Sequence, residues 1–195
     1  MLIKPSGVDY GNLQPEDMVA VSLETGKAVE GKLRPSSDTP THLVLYRRFP
    51  GIGGIVHTHS TFATSWAQSG LDLPCLGTTH ADHFGGGVPI ARKLTDAELE
   101  AYEEETGNVI AECFARRAID PNEVPAVLLP HHGPFAWGPD PGHALENAIA
   151  LEQVAKMALY TFQINPDAPE IPANLLSKHF TRKHGPNAYY GQGRS

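Results

Sequence analysis

The chain has 195 residues, a formal charge of −7 at pH 7, 41% hydrophobic and 19% charged residues, and ten histidines. That length suits one domain with a substantial core, and the acidic balance argues against a general nucleic-acid binder, which needs a basic face. No run is apolar and long enough to span a bilayer, and Cys75 and Cys113 lack metal-type spacing, so a cytoplasmic protein with reduced thiols is expected.

Met1 to Lys4 reads as the end of a strand entering the Pro5-Ser6-Gly7 turn. Asp17 to Ser22 alternates as a strand, and the Glu24-Thr25-Gly26-Lys27 turn leads to a shorter strand from Ala28 to Gly31. Ser36-Ser37-Asp38-Thr39-Pro40 reads as a helix start, with capping side chains and a proline in the first turn, and the helix is predicted to reach about Arg48. Ile52 to Thr58 reads as a central strand, and Ser60 to Gln68 as a helix closed by Gly70. Short strands are expected near Gly77 and Val88. Thr95 and Glu98 form a capping box that opens a helical region extending to Arg117, with a break at Gly107. Ala126 to Pro130 reads as a buried strand whose end delivers His131 and His132. The longest helix is predicted from Gly142 to Phe162, with an apolar face of Leu145, Ala148, Ile149, Ala155 and Leu159. A polar helix from Ala173 to Lys183 precedes the tail that ends at Ser195. The class is α/β: a single domain over 1–195 with a mixed, mostly antiparallel central sheet flanked by helices, its residues 173–195 forming a C-terminal helix and tail.

Chemistry concentrates in a few segments. His57 and His59 lie two residues apart on a strand, so their side chains project from one face and can aim at one point. They read either as two ligands of a transition metal or as two separately hydrogen-bonded histidines. His132 reads as a third ligand at a strand end or as a surface loop histidine. Asp38 reads as a fourth ligand or as a helix cap. Three imidazoles with a carboxylate suit Zn²⁺, and other divalent metals fit nearly as well. Ser36 and Ser37 at a helix N-terminus favour a phosphate, and Ser6 with Gly7 can add donors. Glu152 falls at helical spacing from Leu145, Ala148 and Ile149, so it is predicted to point inward, where a carboxylate needs a partner. That partner is either a ring N–H of a ligand histidine or a basic side chain.

Several strings tie these pieces together: Ile3-Lys4-Pro5-Ser6-Gly7, Pro35-Ser36-Ser37-Asp38-Thr39-Pro40-Thr41-His42, His57-Thr58-His59-Ser60, Gly77-Thr78-Thr79-His80-Ala81-Asp82 and His132-Gly133-Pro134-Phe135-Ala136-Trp137-Gly138. With the tail Lys178-His179-Phe180-Thr181-Arg182-Lys183-His184-Gly185 and Ala188-Tyr189-Tyr190-Gly191-Gln192, they resemble the L-ribulose-5-phosphate 4-epimerase family of the class II aldolase/adducin-like superfamily. The resemblance covers the chain in order, and the tail looks like the epimerases rather than the sister aldolases. It implies Zn²⁺ held by Asp38, His57, His59 and His132, and substrate contacts from Ser6, Gly7, Ser36 and Ser37. It implies Asp82 and Tyr190 as an acid/base pair assisted by His179 and Arg182, and a homotetramer with active sites between subunits. Taken alone, Asp82 reads as a turn residue and Tyr190 as a packing aromatic.

The activity implied is conversion of L-ribulose 5-phosphate to D-xylulose 5-phosphate, as in arabinose catabolism. C4 carries no acidic proton, so a retro-aldol route is expected, with the C3–C4 bond broken and re-formed. The alternatives are a class II sugar-phosphate aldolase that releases its aldehyde, and a catalytically impaired or scaffold homologue of the adducin kind. The last follows from one departure: relatives carry a helix and strands before the Ile-Lys-Pro-Ser-Gly string, so a shortened N-terminus with an exposed sheet edge is expected here. His83 in place of a tyrosine, and Pro130-His131 in place of His-Ser, adjoin site residues without removing a ligand.

Overall fold

Short runs of β-branched and small apolar residues pair into two antiparallel sheets, and helices cover them, giving the α/β class predicted. The computed structural model describes residues 1–185 and 188–190. The chain divides into two compact units, Met1–Pro50 with Leu94–Glu112, and Gly51–Lys93 with Cys113–Ser195.

In the first unit, β1 (Leu2–Ile3), β2 (Val19–Val21) and β3 (Ala28–Glu30) form a meander in sequence order. Ile3, Val19 and Val21 turn one face inward and pack with Leu43 of α1 (Thr39–Arg48). Pro5 bridges Pro35, with Ser6 N–H donating to Arg34 O at 2.9 Å and Ser36 N–H to Lys4 O at 2.9 Å. Thr95 and Glu98 form the predicted capping box, with Thr95 N–H 2.7 Å from the Glu98 carboxylate. A 3-10 turn, Glu98–Ala101, then leads into α4 (Tyr102–Arg117).

The break predicted at Gly107 does not occur, because α4 runs through it. A Cβ at Gly107 would lie 2.6 Å from Val44 Cβ and 3.1 Å from Thr41 O. The glycine therefore serves a close crossing of α1 and α4, and Thr41 Oγ1 donates to Glu103 O across the same contact.

In the second unit the sheet order is β4-β6-β5, with β4 (Gly54–His57), β5 (Ala126–Leu128) and β6 (Pro134–Gly138) all antiparallel to their neighbours. β4, expected to be central, is an edge strand of this sheet. The centre is β6, a strand hidden in the sequence because it opens at the proline of a Gly-Pro pair that reads as a turn. All five residues of β6 are buried. Trp137 anchors it, its indole N–H donating to Pro121 O at 2.8 Å, and truncating so large a buried side chain costs about 3–5 kcal/mol. A parallel bridge between Ile90 and Leu128 adds the mixed element. Val88 does pair, with Leu73, but Gly77 starts the single-turn helix α3 (Thr78–Ala81) instead of a strand.

Helix α2 (Thr61–Ser69) closes at Gly70 in the left-handed conformation, as predicted. α5 (Pro141–Ile164) packs on β4, β6 and α2. Its buried residues are Ala144, Leu151, Val154, Ala155 and Ala158, whereas Leu145 and Ile149 are 52% and 55% exposed. The predicted face is thus rotated. α5 carries two apolar stripes, and the one with smaller side chains meets the sheet because the backbones approach closely. A Cβ at Gly138 would lie 2.7 Å from His143 Cβ. α6 (Ala173–Lys183) has the predicted bounds and packs on α3. Among the described residues no helix is long and apolar enough to cross a membrane.

Candidate functional site

Register and turn geometry bring three of the predicted ligands together. His57 ends β4 and His59 lies in the short joint before α2. His132 sits in the turn between β5 and β6, where His131 adopts a φ of +61°. Ring centroids are 5.1 Å apart for His57–His59, 4.7 Å for His57–His132 and 5.0 Å for His59–His132. One nitrogen from each ring falls within 4.8 Å of the others. The turn works only with glycine at 133, since a Cβ there would sit 2.7 Å from Thr58 O and 3.2 Å from His59 Cδ2.

The donor set fits a divalent ion. His57 Nδ1 lies 2.9 Å from Pro134 O. A carbonyl only accepts, so Nδ1 is the donor nitrogen of the ring and Nε2 its ligand-type nitrogen. Phe135 stacks on the same ring at 4.1 Å and fixes its plane. Imidazoles from three backbone positions make a borderline-soft site of the kind Zn²⁺ and neighbouring divalent metals occupy. Among the described residues, Glu152 shows neither a hydrogen bond to a ligand imidazole nor an ion pair with a basic residue, the two partners predicted for it. Its carboxylate accepts from the Phe62 N–H at 3.0 and 3.1 Å and from the Ala63 N–H at 2.9 Å.

A second cluster forms around Asp82, which caps α3. His179 Nδ1 lies 3.0 Å from Oδ1, Arg182 donates to both carboxylate oxygens at 2.9 and 2.7 Å, and Lys183 Nζ lies 3.4 Å from Oδ2. Arg182 and Lys183 also face the Tyr190 ring, 5.0 and 4.8 Å from its centroid. Burial raises the Asp82 pKa. The hydrogen bonds from Arg182 and His179, with the charges of Lys183 and Arg182, outweigh that and hold it below the ordinary carboxylate value. Sequence alone placed Asp82 and Tyr190 with His179 and Arg182 only through the tail resemblance. Lys183 was missed, although its place one residue after Arg182 in a basic helix end was visible.

A pH prediction follows. A depressed folded pKa contributes stability that is full above the unfolded aspartate value, about 3.9, and is lost as pH falls through the lower folded value. Amide hydrogen exchange in α6 is expected to stay slow from pH 7 to pH 5 and to accelerate only in acid below that unfolded value. Release of α6 between pH 6 and 5 would contradict this.

The four residues predicted to contact an anion lie close together within the first unit. The Pro5–Pro35 bridge sets Ser6 and Gly7 beside Ser36 and Ser37. The amides of Ser6 and Ser36 are spent on that pairing, and the Ser36 hydroxyl is buried. Gly7 has a φ of +71°, with open space where a Cβ would stand. Asp38 precedes α1 at the N-cap position, yet its side chain makes no cap hydrogen bond. It meets Ser36 Oγ at 3.4 Å instead, so the carboxylate is not consumed by the helix.

His80, by contrast, is a core residue. Its Nε2 lies 2.9 Å from Gly86 O, and burial lowers its pKa to about 4, so it is neutral. A cleft of about 1030 Å³ in the second unit, lined by Trp66, Leu73, Arg117 and Phe162 among others, includes none of the three clustered histidines. Cavity size therefore does not mark the site; donor chemistry does. Of the tail, residues 186, 187 and 191–195 lie outside the described residues.

Residues 1–159 match the class II aldolase and adducin N-terminal domain family. The chain belongs to that family. Among solved structures, this class II aldolase/adducin-family protein is similar to an L-fuculose 1-phosphate aldolase at 25% identity and a TM-score of 0.74, over 92% of this chain and 78% of that one. It is also similar to YgbL of Escherichia coli, a provisional aldolase/epimerase/decarboxylase, at 26% identity and a TM-score of 0.70, over 91% and 80%. The L-fuculose-1-phosphate aldolase of Thermus thermophilus is 29% identical with a TM-score of 0.64, over 85% and 80%.

Proposed function

We propose that this protein is a zinc-dependent L-ribulose-5-phosphate 4-epimerase that works by retro-aldol cleavage and re-formation of the C3–C4 bond. The observation that carries the epimerase reading is the clasp of the C-terminal helix on Asp82 through His179 and Arg182. It gathers into one cluster the tail residues by which the sequence resembles epimerases rather than aldolases. His57, His59 and His132, with Asp38 as fourth ligand, would hold the ion, and the chemistry it would supply is Lewis acidity toward the charge that develops on bond cleavage.

The chain's own groups handle protons and fragments. One member of the Asp82/Tyr190 pair takes the C4 hydroxyl proton as the C3–C4 bond breaks, giving a three-carbon enediolate and glycolaldehyde phosphate. Ser6, Gly7, Ser36 and Ser37 retain the phosphate while the aldehyde turns its other face. The bond re-forms, and the second member returns a proton to the C4 oxygen. Two groups are needed because the hydroxyl points in opposite directions before and after. The active assembly is a homotetramer whose Asp82 cluster serves the metal centre of a neighbouring subunit. Residues 173–195 act as its active-site tail, and the protein is placed in the cytoplasm.

The similarity to fuculose-phosphate aldolases favours a second reading, an aldolase that lets the aldehyde go. A product assay with L-ribulose 5-phosphate and Zn²⁺ separates them: xylulose 5-phosphate supports the epimerase, and free dihydroxyacetone supports the aldolase. Tyr190→Phe is expected to slow epimerisation by about 10²–10⁴-fold with the metal content unchanged; wild-type turnover would remove Tyr190 from the mechanism.

A further inference from the structure

We propose that Glu152 is a positioning residue for the metal centre, acting from α5 on the joint that carries His57 and His59. The inference rests on the reading that the three histidines hold a divalent ion. Only Thr58, His59 and Ser60 separate the end of β4 from α2, so the first turn of α2 fixes where His59 stands. A helix start needs acceptors for its free N–H groups. Ser60 occupies the N-cap position and its side chain supplies none. Glu152 does so from 90 residues away, both its oxygens accepting from Phe62 and one also from Ala63. A carboxylate there also complements the positive end of the helix.

The same side of α2 is stitched to α5 once more, where the Trp66 indole N–H donates to Ala155 O at 3.0 Å. From the other side the joint is confined by Gly133, whose missing Cβ makes room for Thr58 O and His59. The joint is therefore held between α5 and the β5–β6 turn. Within it, Thr64 N–H donates to Ser60 O at 2.9 Å. Loss of the Glu152 carboxylate would leave two amides of the α2 first turn without acceptors. The turn would then shift or fray, moving His59 relative to His57 and His132.

The test is cobalt(II) binding by the full chain, measured by chelator competition and by the visible d–d spectrum. Glu152→Ala is expected to weaken binding about 10- to 100-fold, as loss of a supporting partner does at metal sites, and to change the spectrum. Glu152→Gln keeps the shape and one acceptor oxygen and is expected to fall between; it carries the test where the alanine variant does not fold. Asp140→Ala provides the control, because Asp140 caps α5 by accepting from the His143 N–H at 2.9 Å. It is expected to lower the melting temperature while leaving cobalt affinity and spectrum unchanged. Glu152 variants with wild-type affinity and spectrum would overturn the proposal. A wild-type protein that binds no cobalt would overturn the metal reading itself, and the proposal with it.

Discussion

His59→Ala is expected to empty the metal centre while the fold survives. Four-ligand structural zinc sites have apparent binding free energies of about 10–16 kcal/mol, so an equal share for one ligand is about 2.5–4 kcal/mol, or about 60- to 700-fold in affinity. His59 is the member of the triad to choose because it is exposed and its ring is not stacked on the core. His57 also bonds Pro134 O and stacks on Phe135, so its loss would mix folding with metal binding. The checks are metal content after dialysis against a trace-metal buffer and a thermal melt without metal. The variant should retain little metal and melt within about 0.5 kcal/mol of the wild-type apoprotein, as surface substitutions do. Wild-type metal content would show that His59 is not a ligand. Epimerase or aldolase activity should vanish together with the metal, since both readings need the same ion.

Part of the histidine cluster was legible in the sequence for a local reason. Two histidines two residues apart at a strand end were readable as a pair; β4 in fact closes at His57 and His59 lies in the joint before α2, with the two rings 5.1 Å apart. His132 was legible as a strand-end residue, but the depth of its turn was not. That turn depends on His131 at positive φ and on Gly133 being close to Thr58, contacts between segments 75 residues apart. β6 escaped notice because Pro134 opens it, and a Gly-Pro pair is also what a turn looks like. Only its pairing with both β4 and β5 makes it a strand.

The face of α5 was ambiguous for a different reason. Of the predicted face Ala155 is buried, but the larger Leu145 and Ile149 are exposed while Ala144, Leu151, Val154 and Ala158 are buried, so side-chain size pointed partly the wrong way. Glycines at 54 and 138 reverse that preference by bringing the backbones together; an added Cβ at Gly54 would sit 2.6 Å from Asp140 and Pro141 atoms. Glu152 points inward as predicted, but its partner lies on another element. Amide donors at a helix start carry no side-chain signature, which is why sequence reasoning sought an imidazole or a cation.

Asp82→Asn is the substitution expected to separate the function of the tail from that of the metal. The carboxylate is 14% exposed and answers the cations of Arg182 and Lys183 and the His179 ring. An amide offers one acceptor oxygen and turns two N–H donors toward those cations, so the bidentate contact with Arg182 is lost. Hydrogen bonds to charged groups contribute about 1.5–3 kcal/mol each, and the partly exposed partners place the net destabilisation at about 1–3 kcal/mol. Activity should fall further, by about 10²–10⁴-fold, with metal content unchanged. Its depressed pKa keeps Asp82 ionised and makes it a weak base, so two roles have to be distinguished. Arg182→Lys retains a positive charge but not the planar fork. If Asp82 transfers a proton, Arg182→Lys should retain most of the activity that Asp82→Asn loses, with the acid limb of the rate profile moved toward higher pH. If Asp82 only holds the tail, the two variants should lose activity in parallel with the docking of α6, and the acid limb should not move. Full activity in Asp82→Asn would exclude both roles and leave the aldolase reading as the better account of the fold.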